Sequence, residues 1–492
     1  MFEAAELGHT IDKQTYEERL PALREALLAA QVELKKQAPF PVLVVIAGLD
    51  AAGKSETVHE LLEWLDPRLV QVHSFDAPTE VERERPRLWR YWAALPPKGS
   101  IGVLYGAWYD DPIELRFRRE IDKAKLDQLA EEAARFERML VSEGVLVLKF
   151  WFHLSEQRQR ERLKKLSKDR ATRWRVSDDE RAHLKGYRRL SHAAERTLRQ
   201  THTAESPWLI VEGTDAQYRN LTVGQTLLDA LQKRLGGAAP RHVAEAPPLE
   251  SSIDGVEVLD KLDLSKSLSK TDYEDELLEW QGRLNLAMRQ SRFRKHHSLV
   301  VVFEGNDAAG KGGAIRRVTS ALDARQYQTV PVAAPSEEEL AQPYLWRFWR
   351  HLPRRGELTI FDRSWYGRVL VERVEGFSRE QDWMRAYGEI DDFESQLAAH
   401  GVLVVKFWLA IDQETQLSRF QERAATPWKN FKITPDDWRN REKWPAYAAA
   451  VNDMVERTST EIAPWTLVEA NDKRYARVKV LKTIASAVER VL

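Results

Sequence analysis

Gly305-Asn306-Asp307-Ala308-Ala309-Gly310-Lys311-Gly312-Gly313, placed directly after the apolar run Leu299–Phe303 and before a helical pattern, decides the fold. A β-branched run ending in a glycine-rich loop that opens a helix is the context a phosphate-binding loop requires. Glycines let backbone amides close around phosphate oxygens, and the helix amino terminus adds partial positive charge. Lys311 would meet the phosphates as a point charge. The same arrangement occurs 257 residues earlier, as Val42–Ala47 followed by Gly48-Leu49-Asp50-Ala51-Ala52-Gly53-Lys54-Ser55.

The offset of 257 holds throughout: Trp346 falls on Trp89, Trp365 on Trp108, Gly401 on Gly144 and Trp465 on Trp208. Residues 16–235 and 273–492 are thus two copies of one unit in constant register. Residues 1–235 form the first domain, 236–272 a linker with Pro240, Pro247 and Pro248, and 273–492 the second domain. Within each copy, further apolar runs alternate with long helical stretches: Ile101–Leu104, Val145–Phe150 and Leu209–Glu212, matched by Leu358–Phe361, Val402–Phe407 and Thr466–Glu469. This is the pattern of βαβ units, and it predicts two α/β domains, each a parallel sheet covered on both faces by helices.

The 492 residues carry a net charge of −1 and no cysteine. That balance argues against a uniformly basic nucleic-acid binder, and the missing thiols exclude a disulfide framework or a thiolate metal site. No apolar run approaches the ~20 residues of a membrane span, and Met1–Thr10 has no signal pattern. A cytoplasmic protein that binds neither membrane nor nucleic acid is expected.

The copies disagree where chemistry would lie. The first loop satisfies G-x-x-x-x-G-K-[ST]; the second has Gly312 where a magnesium-holding hydroxyl is usual. Asp307 beside bound phosphate implies an intervening cation, so it reads as a metal ligand. After the next strand the second copy has Asp362-Arg363-Ser364-Trp365-Tyr366-Gly367-Arg368. Asp362 fits a second magnesium ligand, and Arg363 and Arg368 suit bidentate contact with phosphate oxygens. The first copy has Tyr105, Gly106 and Asp111 in place of Asp362, Arg363 and Arg368. Residues 362–373 set Arg363, Arg368 and Arg373 against Asp362 and Glu372, whereas residues 105–116 set Arg116 alone against Asp110, Asp111 and Glu114. The first copy is therefore expected to be non-catalytic despite its complete loop, serving to support the second domain or a homo-oligomer interface.

Further on, Arg419, Arg423, Lys429, Lys432, Arg439, Arg441 and Lys443 suit a basic lid, which the first copy degrades with Leu166 for Arg423 and Thr172 for Lys429. The aromatics of Trp346–Gly356 read as core rather than as a base-stacking platform.

The second-copy loop, Asp362–Tyr366, Val371-Glu372-Arg373-Val374-Glu375-Gly376-Phe377 and the Lys429–Trp444 lid together resemble the family-2 polyphosphate kinases, over nearly the full length of both copies. The resemblance implies tandem P-loop kinase-like domains similar to thymidylate kinase, with a helical lid. It implies transfer of phosphate from inorganic polyphosphate to AMP, giving ADP, with Mg2+ as cofactor. Carried onto this sequence, Asp307 and Asp362 would bind the metal, and Lys311, Arg363 and Arg368 would grip polyphosphate. Gly305, Asn306, Ala308, Ala309, Gly310 and Gly312 would line the phosphates, with Glu372, Arg373, Arg423, Lys429 and Lys432 around the substrates. Phe431 stands where the family's lid has Trp. From the residues alone, an ATP-dependent kinase with the same loop, or a non-catalytic nucleotide-binding scaffold, remains open.

Overall fold

A computed structural model describes residues 1–237, 257–428, 433 and 435–492. Two compact units are built on the two copies, with Thr79–Trp89 belonging to the second and the equivalent Ser336–Trp346 to the first. The linker calls on residues 238–256 lie outside the described residues.

Each unit is a five-stranded parallel sheet. The first contains β1 (Val42–Gly48), β2 (Val70–Ser74), β3 (Ile101–Tyr105), β4 (Leu146–His153) and β5 (Trp208–Glu212), in the order β2-β3-β1-β4-β5. The second contains β6 (Ser298–Gly305), β7 (Tyr327–Pro331), β8 (Leu358–Asp362), β9 (Val402–Ala410) and β10 (Trp465–Glu469), in the order β10-β9-β6-β8-β7. All pairings are parallel, with Phe303 opposite Asp362 on one side and Phe407 on the other. Sequence periodicity finds four strands per copy and misses β2 and β7. Both are sheet edges whose middle residues face solvent, so Val-Gln-Val-His-Ser and Tyr-Gln-Thr-Val-Pro lack the doubly apolar run of a central strand.

β6 is central because Leu299–Phe303 are fully buried among helices on both faces. Its glycine loop leaves the carboxyl end of the sheet between β8 and β9, where the strand order reverses and α/β sheets open a crevice. The helix Lys473–Glu489 packs beneath through Val480, Leu481 and Ile484, and Lys270–Arg289 adds Leu284 and Met288. The later linker does pack on the second unit: Leu259 N donates to Asn452 Oδ1 at 3.1 Å and Lys266 pairs with Glu469 at 2.9 Å.

Both units share one buried polar device. In the second, Lys406 Nζ on β9 donates to Glu394, the Tyr366 hydroxyl and the Thr458 carbonyl, each at 2.7 Å. Glu394 also accepts from Trp365 Nε1 at 3.1 Å and from the Tyr366 hydroxyl at 2.7 Å. The first unit repeats it with Lys149, Glu137, Trp108, Tyr109 and Thr201. The Trp-Tyr pair retained in both copies is thus core structure. Phe348 and Trp349 likewise pack on Trp365 and Phe393. Because an ion of a buried pair stripped of its partner is destabilising by ~3–5 kcal/mol, Lys406→Met should lower stability by about that amount. Adding Glu394→Gln should recover part of the loss. Urea unfolding of the three proteins checks this, and a Lys406→Met variant as stable as the parent would contradict it.

Candidate active site

The site starts from the backbone of the loop. Gly305 has φ of 146°, and a Cβ there would lie 2.5 Å from the Leu409 carbonyl, so only glycine lets β6 turn this close to β9. Asn306 Oδ1 accepts from Ile411 N at 3.1 Å and ties the loop to the same strand. Gly310, at φ 105°, starts the helix Lys311–Thr319 without a side-chain cap, leaving first-turn amides for a ligand. From below, Arg419 is buried and donates to the carbonyls of Ala308, Ala309, Ala470 and Asn471 at 2.8–3.3 Å. Arg419 therefore braces the loop and is not part of a lid. Lys311 Nζ folds onto the Gly305 carbonyl at 2.7 Å.

Around Lys311 stand the groups that follow β8. Arg363 has φ of 65°, the left-handed region that costs a side-chain-bearing residue about 1 kcal/mol or more. That turn sends its guanidinium to Asp307, where Nη2 donates to Oδ1 at 2.9 Å. The other oxygen of Asp307 accepts from Asn440 Nδ2, also at 2.9 Å. Burial and the Arg363 charge lower the Lys311 pKa, with Asp307, Asp362 and Glu304 acting in the opposite direction. Glu304 is buried at the end of β6, accepts from Ser364 Oγ at 2.8 Å, and is raised in pKa by burial.

Among the described residues, no group of three or more His, Asp or Glu side chains could hold a metal ion. Two carboxylates suit magnesium, which is bound by one or two acids and completed by waters and substrate phosphates. Asp307 and Asp362 fit that role, provided Arg363 leaves Asp307 for a phosphate.

The lid helices Pro435–Glu442 and Trp444–Thr458 are held to the site by Glu375. This carboxylate, 4% exposed, pairs with Arg439 at 3.0 Å and Lys443 at 2.9 Å, and Tyr447 reaches it at 3.4 Å. Tyr447 also donates to Asn440 Oδ1 at 3.2 Å, which continues the chain of bonds to Asp307. Of the other sequence candidates, Arg368 pairs with Glu372 at 2.9 Å beside the site. Arg373 pairs with Asp453 at 2.6 Å and donates to the Tyr387 hydroxyl at 3.1 Å, a tie between helices. Arg423 sits in the last turn of the helix Gln413–Ala425. Lys429, Phe431 and Lys432 lie outside the described residues. Sequence reasoning missed Glu304, Asn440 and the hub role of Glu375. The internal comparison carries the signal, since they face Ala47, His183 and Arg118 in the first copy.

In the first unit the same frame holds different chemistry. Ser55 Oγ, the hydroxyl that completes the loop pattern, meets the Tyr105 hydroxyl at 3.3 Å where the second unit has Asp362. His183 bridges Asp50 at 2.6 Å and Glu114 at 2.8 Å. Burial opposes its charge, but these two carboxylates carry its pKa up to about 9. Asp110 is pushed up to about 6 by burial, against the pull of Lys54. Lys54, though buried, is raised by Tyr105, Asp50, Asp110 and Glu180. Lys311 thus has an arginine among the acids around it, whereas Lys54 is surrounded by acids and Tyr105. A folded-state pKa above the free value of ~6.5 means that the His183 bridge stabilises fully below that pH and is lost as pH rises through about 9. The contribution is about 2–3 kcal/mol for this mostly buried group. Thermal unfolding between pH 6 and 10 should show the first unit weakening over that window and His183→Gln abolishing the dependence.

A family model described as Polyphosphate kinase 2 (PPK2) matches residues 10–236 and again 267–491. The chain is 59% identical over 490 residues to the polyphosphate:AMP phosphotransferase of Pseudomonas aeruginosa, covering 99% of each. It is 56% identical over 491 residues to that of Pseudomonas syringae pv. tomato, covering 100% of this chain and 98% of the relative. The Acinetobacter johnsonii polyphosphate:AMP phosphotransferase is 38% identical over 445 residues, 90% of each chain. The crystal structure of a polyphosphate kinase 2 from Pseudomonas aeruginosa superposes with a TM-score of 0.89 at 56% identity, covering 100% of this chain and 99% of that one. With the family model matched twice and the fold shared along the full length, the chain belongs to the polyphosphate kinase 2 family.

Proposed function

We propose that the protein transfers the terminal phosphoryl group of inorganic polyphosphate to AMP, giving ADP and a polyphosphate one unit shorter, and that the second unit alone does so. The observation that carries this reading is the pairing of Arg363 with Asp307 over Lys311, present in the second unit and lost in the first, where Asp50 and Lys54 remain but Gly106 stands in place of Arg363. Full-length relatives at 56–59% identity that bear the name of this reaction support the substrates.

The phosphate of AMP is already anionic near neutral pH, its second pKa being ~6, so attack on phosphorus needs no general base. The protein's work is positioning and charge neutralisation. Lys311 leaves the Gly305 carbonyl for donor phosphates, which the first-turn amides also meet. Arg363 exchanges Asp307 for the oxygens of the transferring group, which frees that carboxylate. Asp307 and Asp362 would hold magnesium, which would supply positive charge to the phosphates. An attacking oxygen of AMP then forms the new P–O bond as the anhydride bond breaks, and the leaving polyphosphate keeps the electron pair. Glu375, Tyr447 and Asn440 keep the lid in register with Asp307 throughout.

Removing a metal ligand or a charge that meets the transition state costs several kcal/mol of barrier, so Asp362→Asn should lose ~10²-fold or more in turnover with the fold intact. An AMP phosphorylation assay with magnesium and polyphosphate measures this, and near-normal turnover would remove Asp362 from the site. The division of labour has its own test. Lys311→Ala should abolish ADP formation, while Lys54→Ala and Asp50→Ala should keep most of it. Equal loss in folded Lys54→Ala would place chemistry in the first unit.

A further inference from the structure

The first unit's inner site is ringed by Asp50, Asp110 and Glu180, yet its outer segment is more basic than the matched segment of the second. Residues 164–175 carry Lys164, Lys165, Lys168, Arg170, Arg173 and Arg175 against Asp169 alone, a balance of +5. The matched residues 421–432 carry Arg423, Lys429 and Lys432 against Glu422, a balance of +2. The loss of Arg423 and Lys429 at Leu166 and Thr172 is thus outweighed. Gln421, Glu422, Ala425, Pro427 and Asn430 face Lys164, Lys165, Lys168, Arg170 and Arg173. The expectation of a degraded basic segment is correct for single positions and wrong for the segment.

These six cations are all exposed, and among the described residues none of them has a carboxylate within ion-pair distance. Asp169 is turned to its own backbone, accepting from Ala171 N at 2.8 Å. Lys164 and Lys168 stand one turn apart on the helix Glu156–Lys168, a like-charge spacing that opposes the helix by a few tenths of a kcal/mol. The 3-10 turn Arg173–Arg175 then presents Trp174, 74% exposed, with the Arg175 guanidinium over its ring at 5.2 Å. A solvated helix face ordinarily intersperses both signs. Unrelieved positive charge at a local cost is the footprint of a polyanion.

We propose that Lys164–Arg175 is a second polyphosphate-binding site, non-catalytic, which holds the donor chain by its phosphates. The proposal rests on the polyphosphate reading above. The chain is held by outer cations and is kept from the loop beneath by Asp50, Asp110 and Glu180, so this unit binds donor without consuming it.

The test neutralises Lys164, Lys168, Arg170, Arg173 and Arg175 to alanine in the full-length chain. Five lost phosphate contacts should raise KM for long-chain polyphosphate roughly tenfold or more, and flatten its dependence on salt, by the counterion logic of single strands. KM for AMP, kcat, and KM for tripolyphosphate should stay unchanged, because a short donor occupies only the catalytic loop. Calorimetric titration of long-chain polyphosphate into Asp362→Asn/Lys311→Ala provides a readout free of turnover. Binding there should persist and should weaken roughly tenfold or more when the five neutralisations are added. Unchanged binding on neutralisation would overturn the proposal, as would an equal rise in KM for tripolyphosphate. If the unmodified chain did not phosphorylate AMP at all, the functional reading would fall and the titration would still decide this one.

Discussion

The buried ammonium of Lys406 is the constraint on which the second unit depends. Its three hydrogen bonds reach a helix through Glu394, the segment after β8 through Tyr366, and the end of the lid helix through Thr458. A charge this deep is tolerable only when every donor is satisfied, so the partners cannot drift independently. Trp365 and Tyr366 are fixed by that requirement. Arg363 and Arg368, two or three residues either side, inherit their positions from it. The lid's root and the catalytic turn are thereby referred to one atom.

The first unit holds the same assembly around Lys149, which shows that the scaffold does not depend on the chemistry it carries. What differs is a thin shell above it. Tyr105, Gly106 and His183 replace Asp362, Arg363 and Asn440, so Lys54 lacks the arginine that joins burial in lowering the Lys311 pKa and is raised by its neighbours instead. In the second unit Asp307 is engaged by Arg363 and Asn440, one on each oxygen. In the first, Asp50 is engaged by a histidine that Glu114 holds from the other side.

Much of this was legible from the chain because parallel strands buried on both faces leave uninterrupted β-branched runs, and because glycines and charges at a constant offset report each other. The edge strands β2 and β7 were not legible, since half-exposed strands carry mixed residues. Glu304 lay one residue beyond an apolar run and drew no attention until its bond to Ser364 gave it a place. Charge in a sequence does not state direction. Arg419 and Arg373 look like ligands for phosphate, and they bond to loop carbonyls and to Asp453. Their length lets them reach several partners, and only packing chooses among them.

Arg363 and Gly106 share a left-handed backbone, at φ 65° and 70°. The turn is common to both copies, although only one carries an arginine on it. A Cβ placed on Gly106 would lie 3.0 Å from an Asp110 oxygen and 3.3 Å from the Phe75 carbonyl, so an arginine there meets a crowded and acidic wall. Seating the second copy's side chains in the first would require that wall, Tyr105 and the His183 bridge to change together. Packing thus couples these positions, so the difference between the two copies is held by several contacts at once and not by one residue.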